Sequence, residues 1–338
     1  MNPLMMQKSR AKFAPYQFII FLFAFLLCLI QLPARANARG TPQSQDQKEV
    51  QGQQPIRVGV NLVMLDATVK TKSGEIMADL KKEDFEVRED GALQKISIFS
   101  RDELPLNVAL VLDLSDSIGP FLGPLRDAAN TTLSVLKPDD EVALFTFSTE
   151  AQIEMPFTKD KSSIAEKIGS FKARGATNIN DGIFVAAQYF LAKAPKGRRV
   201  IILISDDVGT SAGGQGTKDI VTETVAADAS LYNLKIPGYN PPGTRFYASQ
   251  VPGLVNIGKV AEETGGEIFD VQNVTSLDAT FRALIERIKT RYAIGYYTNA
   301  ESGSGKAHKL DVRLVKSHGT KGKDYIVLAR NSYYLITP

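Results

Sequence analysis

From residue 108 to about residue 290, short apolar runs alternate with stretches of helical spacing. Val108–Asp113 (VALVLD) has the length and branching of a strand buried on both faces. Gly119 to Leu136 then sets Phe121, Leu125, Ala128, Ala129, Leu133 and Leu136 near one helical face, and Pro138-Asp139-Asp140 stops it. Glu141–Ser148 and Ala151–Phe157 read as strands and Ser162–Phe171 as a short helix. Ile179–Leu191 repeats Ile179, Ile183, Ala187 and Phe190 at helical spacing, and Arg198–Ser205 is a second buried strand. Thr217–Ala229 predicts a helix, with a weak strand near Leu231–Ile236. Leu254–Thr264 predicts another helix, halted by Gly265-Gly266, before a strand at Glu267–Val271. Ser276 caps a last helix with Leu277, Phe281, Leu284, Ile285 and Ile288 on one face. This order predicts an α/β fold: a doubly wound, mostly parallel sheet covered by helices on both sides. Pro237–Pro252, rich in Pro, Gly and Tyr, reads as a long loop, a surface insertion first and a ligand-gripping loop as the alternative.

The flanks alternate with period two instead. Arg57–Val69 reads as a long half-buried strand and Lys72-Ser73-Gly74 as a turn. Leu80–Asp84 is a short helical turn, Phe85–Arg88 a strand, Asp90-Gly91 a hairpin turn, and Leu93–Phe99 a further strand. Beyond the last helix, Tyr292–Thr298, Leu310–Val315 and Tyr325–Ala329 alternate in the same way. A few strands are marginal alone, so the two flanks are expected to pair into one small β unit. The expected division is an export segment over 1–38, a linker over 39–55, a β unit over 56–103, the α/β core over 104–290 and C-terminal β strands over 291–338.

The N-terminus changes the picture of where the chain works. Lys8, Arg10 and Lys12 precede the unbroken apolar run Phe18–Ile30, and Ala34-Arg35-Ala36 and Ala36-Asn37-Ala38 both fit small-x-small cleavage sites. A signal peptide cleaved near Ala36 or Ala38 is expected, with an uncleaved membrane anchor as the alternative; either exports the protein to the periplasm, cell surface or medium. The polar stretch Gly40–Pro55, rich in Gln, Ser and Gly, reads as a disordered tether. Four basic residues, Lys8, Arg10, Lys12 and Arg35, precede Ala36 with no acid among them, so removal of that segment takes the formal charge from +3 to −1. Charge therefore gives no support to a nucleic-acid partner. The single cysteine, Cys28, lies in the apolar run, which excludes a disulfide framework or a thiolate zinc site in the remainder. The two histidines, His308 and His318, are distant in sequence from the acidic motif and read as exposed loop or strand residues.

Candidate chemistry gathers where the first core strand ends. Asp113-x-Ser115-x-Ser117 presents one carboxylate and two hydroxyls at alternate positions, at the strand end where open α/β sheets bind ligands. These are hard oxygen donors of the kind that suits Mg²⁺, Ca²⁺ or Mn²⁺. Gly175-Ala176-Thr177-Asn178 precedes a helix, and Ile201–Asp206 is an apolar run that ends in an acid. In type and order, the three segments resemble the metal-ion-dependent adhesion site (MIDAS) of von Willebrand factor A domains. The resemblance maps the site to Asp113, Ser115, Ser117, Thr177 and Asp206, with Thr177 ligating directly in a ligand-engaged state and Asp206 acting mostly through water. Asp116 and Asp207 depart from the family pattern and would repel an acidic ligand if they pointed inward. Asp181 reads as a first-turn helix acid. Leu80-Lys81-Lys82-Glu83-Asp84-Phe85 with Glu89-Asp90-Gly91, and Arg291-Tyr292-Ala293-Ile294-Gly295-Tyr296-Tyr297, also resemble the end signatures of secreted von Willebrand factor A-related domains of Acidobacteria.

The resemblance implies an exported, divalent-metal-dependent adhesion module. Mg²⁺ is the expected ion, with Ca²⁺ or Mn²⁺ as alternatives, bridging to an Asp or Glu carboxylate of a protein partner. Other readings stand beside it. The metal can serve only to stiffen loops in an envelope scaffold, or the serines can simply cap the helix near Gly119. An enzyme finds less in the sequence. Ser115 stands where a phosphatase would carry a second acid, and Ala300 and Ala307 stand where a phosphate loop around Ser304-Gly305-Lys306 would need Gly and Ser or Thr.

Overall fold

The structure is a computed structural model and describes residues 61–101, 104–300, 303, 305–315 and 325–335. The expected export segment, the linker and His318 lie outside these residues. Along the chain come strands β1 (Asn61–Thr71), β2 (Phe85–Glu89), β3 (Ala92–Gln94), β4 (Ile96–Ser100) and β5 (Leu106–Asp113). Helix α1 (Leu122–Val135), strands β6 (Glu141–Phe147) and β7 (Ala151–Thr158), and helices α2 (Lys161–Ser170) and α3 (Ile179–Lys193) follow. Next are β8 (Arg198–Ser205), α4 (Thr217–Ala226), β9 (Ala229–Lys235), α5 (Thr244–Ser249), α6 (Ile257–Thr264), β10 (Ile268–Asp270) and α7 (Leu277–Lys289). The chain closes with β11 (Tyr292–Thr298), β12 (Ala307–Leu314), β13 (Tyr325–Ala329) and β14 (Ser332–Tyr334).

Every residue of β5 is buried, as a strand covered on both faces requires. Its alternate side chains feed two cores. Val108, Leu110 and Leu112 pack with Leu125 of α1, Ile164 of α2 and Phe281 of α7. Ala109 and Val111 pack with Ile183 of α3, Ile220 of α4 and Val260 of α6. The six-stranded sheet runs β10-β9-β8-β5-β6-β7. All its pairings are parallel except that of the edge strand β7 with β6. The doubly wound, mostly parallel sheet expected from the alternation is thus the fold observed. The chain starts the sheet at β5, builds out through β6 and β7, and returns to the other side of β5 with β8. The order reverses between β5 and β8, the point at which open α/β sheets place ligands beyond the strand ends.

The flanking strands form two four-stranded sheets, β13-β1-β11-β4 and β14-β12-β2-β3, each mixing N- and C-terminal strands. β1 lies between β11 and β13, and β2 pairs with β12, all antiparallel. Val63, Leu65, Val87, Ile294, Tyr296 and Leu310 from the two sheets share one apolar cluster. Neither flank has this cluster alone, which is why the chain closes by bringing its ends together.

Two local expectations need correction. The helix expected from Gly119 is preceded by a 3-10 turn over Asp116–Phe121 that contains Pro120, and regular helix begins at Leu122; proline has no N–H for the α-type bond. Pro237–Pro252 is not loop throughout, because it holds α5, entered through Gly243 at φ 93°. Phe246 and Tyr247 of α5 are exposed, so no apolar face betrayed it in the sequence. Among the described residues no helix is long and apolar enough to cross a membrane.

Candidate functional site

Asp113 closes β5, and the next strand over, β8, ends one residue past the level of Leu112, which pairs with Ile204. The two C-termini therefore present Asp113 and Ser205 side by side. Ser205 Oγ donates to Asp113 Oδ2 at 2.7 Å, and the Ser115 N–H donates to Oδ1 at 2.8 Å. The Ser115 and Ser117 hydroxyls lie 3.1 Å apart. Ser115 occupies the N-cap position of the 3-10 turn but makes no side-chain cap bond. The serines are thus not spent on capping, which removes the main support for a purely local role.

The second segment is stitched to the first by its backbone. Arg174 N–H donates to Leu114 O at 2.7 Å, and Asp116 N–H to Gly175 O at 3.2 Å. Gly175 holds φ 90°, a conformation open to glycine, and lets the chain turn into α3. Thr177 is buried and bound to the third segment. Its N–H donates to Thr210 Oγ1 at 2.9 Å, while its carbonyl accepts from the N–H groups of Thr210 and Ser211 at 2.9 and 3.2 Å.

Asp206 follows β8 and is fully buried. Its Oδ1 accepts from the Val208 N–H at 3.1 Å, and its Oδ2 from Asn240 Nδ2 at 2.9 Å. The 237–252 segment is tied into the site a second time, since the Tyr239 N–H donates to Ser117 O at 2.8 Å. Gly238 passes so close that an added Cβ would stand 1.9 Å from Asp206 Oδ2. Backbone and side-chain bonds thus lace all three segments carrying Asp113, Ser115, Ser117, Thr177 and Asp206 together at one end of the sheet.

The electrostatics are those of buried negative charge. Burial pushes the Asp113 carboxyl up to about 6, against the pull of its hydrogen bonds to Ser115 and Ser205, and nearby Asp206 pushes it in the same direction. Two fully buried carboxylates near each other are costly when ionised, and a cation among them offsets that cost. The donor set is carboxylate and hydroxyl oxygen only. Residues and electrostatics therefore fit a hard divalent cation.

The acids outside the family pattern turn elsewhere. Asp116 is exposed. Asp207, in left-handed conformation at φ 61°, accepts from Asn233 Nδ2 at 3.0 and 2.9 Å, and burial pushes its carboxyl up to about 6. Asp181 lies in the first turn of α3 beside Asn178 Nδ2, at 2.7 Å. His308, expected to be exposed, is buried in β12 with Nδ1 2.9 Å from Asp90 Oδ2, because the closing β unit covers its strand. Sequence reasoning overlooked Ser205, Thr210, Gly238 and Asn240. Only Ser205 carried a signal, as the polar residue between an apolar run and Asp206.

Residues 108–209 match the family model of the von Willebrand factor type A domain. The matched residues, 108–209, therefore correspond to a von Willebrand factor type A domain and run from β5 to just past β8, in the sheet whose switch point holds the candidate site. Over 192 residues it is 29% identical to an uncharacterized protein of Synechocystis sp., covering 55% of this chain and 42% of that one. Over 293 residues it is 27% identical to inter-alpha-trypsin inhibitor heavy chain H4 of Bos taurus, covering 80% of this chain and 29% of that one. The chain thus spans less than half the length of these two curated relatives. Similar solved structures include a von Willebrand factor type A protein from Catenulispora acidiphila, with TM-score 0.45 and 10% identity over 73% of this chain and 72% of that one. Another is an aerotolerance-related membrane protein from Bacteroides fragilis, with TM-score 0.41 and 18% identity over 54% of this chain and 98% of that one.

Proposed function

We propose that this protein is an exported binding module in which a divalent cation, Mg²⁺ first, joins Asp113, Ser115 and Ser117 to an acidic group of a protein partner. Thr177 and Asp206 complete the ligand set. A cation held there supplies a Lewis-acidic position open to an incoming Asp or Glu carboxylate. The chain's own groups do the positioning. Ser205 and the Ser115 N–H orient Asp113, and Asn240 and the Val208 N–H orient Asp206. The single observation that carries this reading is that Asp113 and Asp206, both fully buried, lie near enough to repel each other at a sheet switch point, beside a Ser115 hydroxyl not used as a cap. Export rests on the N-terminal segment, and near-neutral charge after its loss leaves a protein surface as the natural partner.

Binding is favoured over catalysis by where the one histidine among the described residues lies. A Ser-His-Asp arrangement needs an imidazole on Ser115 or Ser117, whereas His308 is engaged by Asp90 in the β unit. The test is capture of partners from the cell envelope by wild type and Asp113→Ala, each with Mg²⁺ and with EDTA. Partners held by wild type in Mg²⁺ alone support the bridge. The same partners in all four samples overturn it.

A further inference from the structure

A second group of metal-type ligands lies in the β unit, independent of the site in the core. Glu89 ends β2, Asp90 follows in the hairpin turn at φ 47°, and His308 sits opposite in β12, where Leu310 pairs with Glu89. One ligand atom from each lies within 4.8 Å of the other two. His308 Nδ1 is 2.9 Å from Asp90 Oδ2 and 3.7 Å from Glu89 Oε1. Ligands about 2.0–2.2 Å from one zinc ion stand roughly 3–4 Å from each other. Glu89 and His308 are 6% and 8% exposed. The Asp90 side chain is 46% exposed, which gives the cluster an entry path.

The surroundings hold the ligand groups in place. The Lys309 N–H donates to Asp90 Oδ1 at 2.9 Å, which leaves Oδ2 facing the imidazole. Thr298 Oγ1 and the Tyr333 hydroxyl donate to Glu89 Oε1 at 2.9 and 2.6 Å. Fully buried Tyr296 stands beside Tyr333 and Glu89.

We propose that Glu89, Asp90 and His308 form a second divalent-metal site, suited to zinc-class ions, that clamps β2 to β12. The imidazole sets its preference apart from the all-oxygen core site. Because β2 and β12 come from opposite flanks, such an ion would join the two ends of the described chain.

The test uses the full chain without a polyhistidine tag, in an Asp113→Ala background that removes the core site. Zn²⁺ is titrated against a chromogenic competitor, and the unfolding midpoint is read with and without Zn²⁺. Asp113→Ala is expected to take up one equivalent of Zn²⁺ and to unfold at higher temperature with it. Adding His308→Ala should abolish both effects. Adding Asp90→Asn should weaken binding at least about tenfold. Asparagine tolerates the left-handed backbone of position 90, so this variant carries the test if His308→Ala fails to fold. With only two histidines in the chain, imidazole NMR of the folded protein should show Zn²⁺ shifting one ring and not the other. No zinc uptake by Asp113→Ala, or equal uptake with and without the Asp90 and His308 substitutions, overturns the proposal and leaves a hydrogen-bonded latch.

Discussion

Ser205 Oγ donates to Asp113 Oδ2 at 2.7 Å, and both residues are fully buried. The bond joins the ends of β5 and β8, the two strands between which the sheet order reverses. Ser205→Ala would leave a buried carboxylate oxygen without that donor. The expected cost is about 1–3 kcal/mol in urea unfolding, together with weaker Mg²⁺ binding by calorimetry, since Asp113 loses an orienting bond. Unchanged stability and affinity would mean that Asp113 is positioned by its own loop alone.

On the proposed function, a proton and a cation would compete for the same buried carboxylate. The Asp113 carboxyl is pushed from 3.8 up to about 6, mainly by burial. The native state therefore holds this proton more tightly than the unfolded chain does. Its stabilising contribution is complete below about pH 4, falls as the pH rises through about 6, and is absent above. Asp207, also pushed up to about 6 by burial, acts in the same direction. In metal-free protein Asp113 alone should cost roughly 1–2 kcal/mol between pH 5 and pH 7.5. Stabilisation by Mg²⁺ should be large at pH 7.5 and small at pH 5. Unfolding midpoints at both values, with and without Mg²⁺, check this; an equal Mg²⁺ shift at the two would contradict it.

Gly238 is where the 237–252 segment passes over Asp206. A Cβ there would stand 1.9 Å from Asp206 Oδ2 and 2.6 Å from its Cβ. Gly238→Ala must move Asp206 or the segment, and the expected outcome is loss of Mg²⁺ binding with a small to moderate loss of stability. Gly214→Ala is the control, since nothing lies within 4 Å of its added Cβ. Titrating Mg²⁺ into both variants should separate them cleanly.

Arg291 couples the β unit to the core. Its guanidinium donates to Gly265 O at 2.6 Å and to the Tyr232 hydroxyl, and stands 3.7 Å from Asp66 of β1. It is 3% exposed. Arg291→Ala strips a buried charge network of its centre, and about 3–5 kcal/mol should be lost in chemical denaturation. A loss below 1 kcal/mol would show that Arg291 is not what holds the two parts together.

Much of this architecture was legible because buried parallel strands write themselves as apolar runs. Val108–Asp113 and Arg198–Ser205 need no tertiary information to be read as strands, and the ligand-type residues at their ends follow from the sheet's geometry. The helical face Leu277, Phe281, Leu284, Ile285 and Ile288 was equally plain, and all five residues are buried. Illegible were features fixed by contacts distant in sequence. Asn240 reaches Asp206 across 34 positions and His308 reaches Asp90 across 218. No periodicity encodes such meetings; they exist only once β8 and the 237–252 segment, or β2 and β12, lie side by side. Helix α5 escaped because its exposed aromatics have no buried face to give it a period.

The central claim is that Asp113, Ser115, Ser117, Thr177 and Asp206 together hold one hard cation. Isothermal titration of Mg²⁺ at pH 7.5 into wild type and Asp113→Ala tests it most directly. The account predicts single-site binding by wild type, none by Asp113→Ala, and weakened binding by Thr177→Ala and Asp206→Ala with the fold intact by circular dichroism. Absence of binding by wild type, or identical isotherms for wild type and Asp113→Ala, would contradict it.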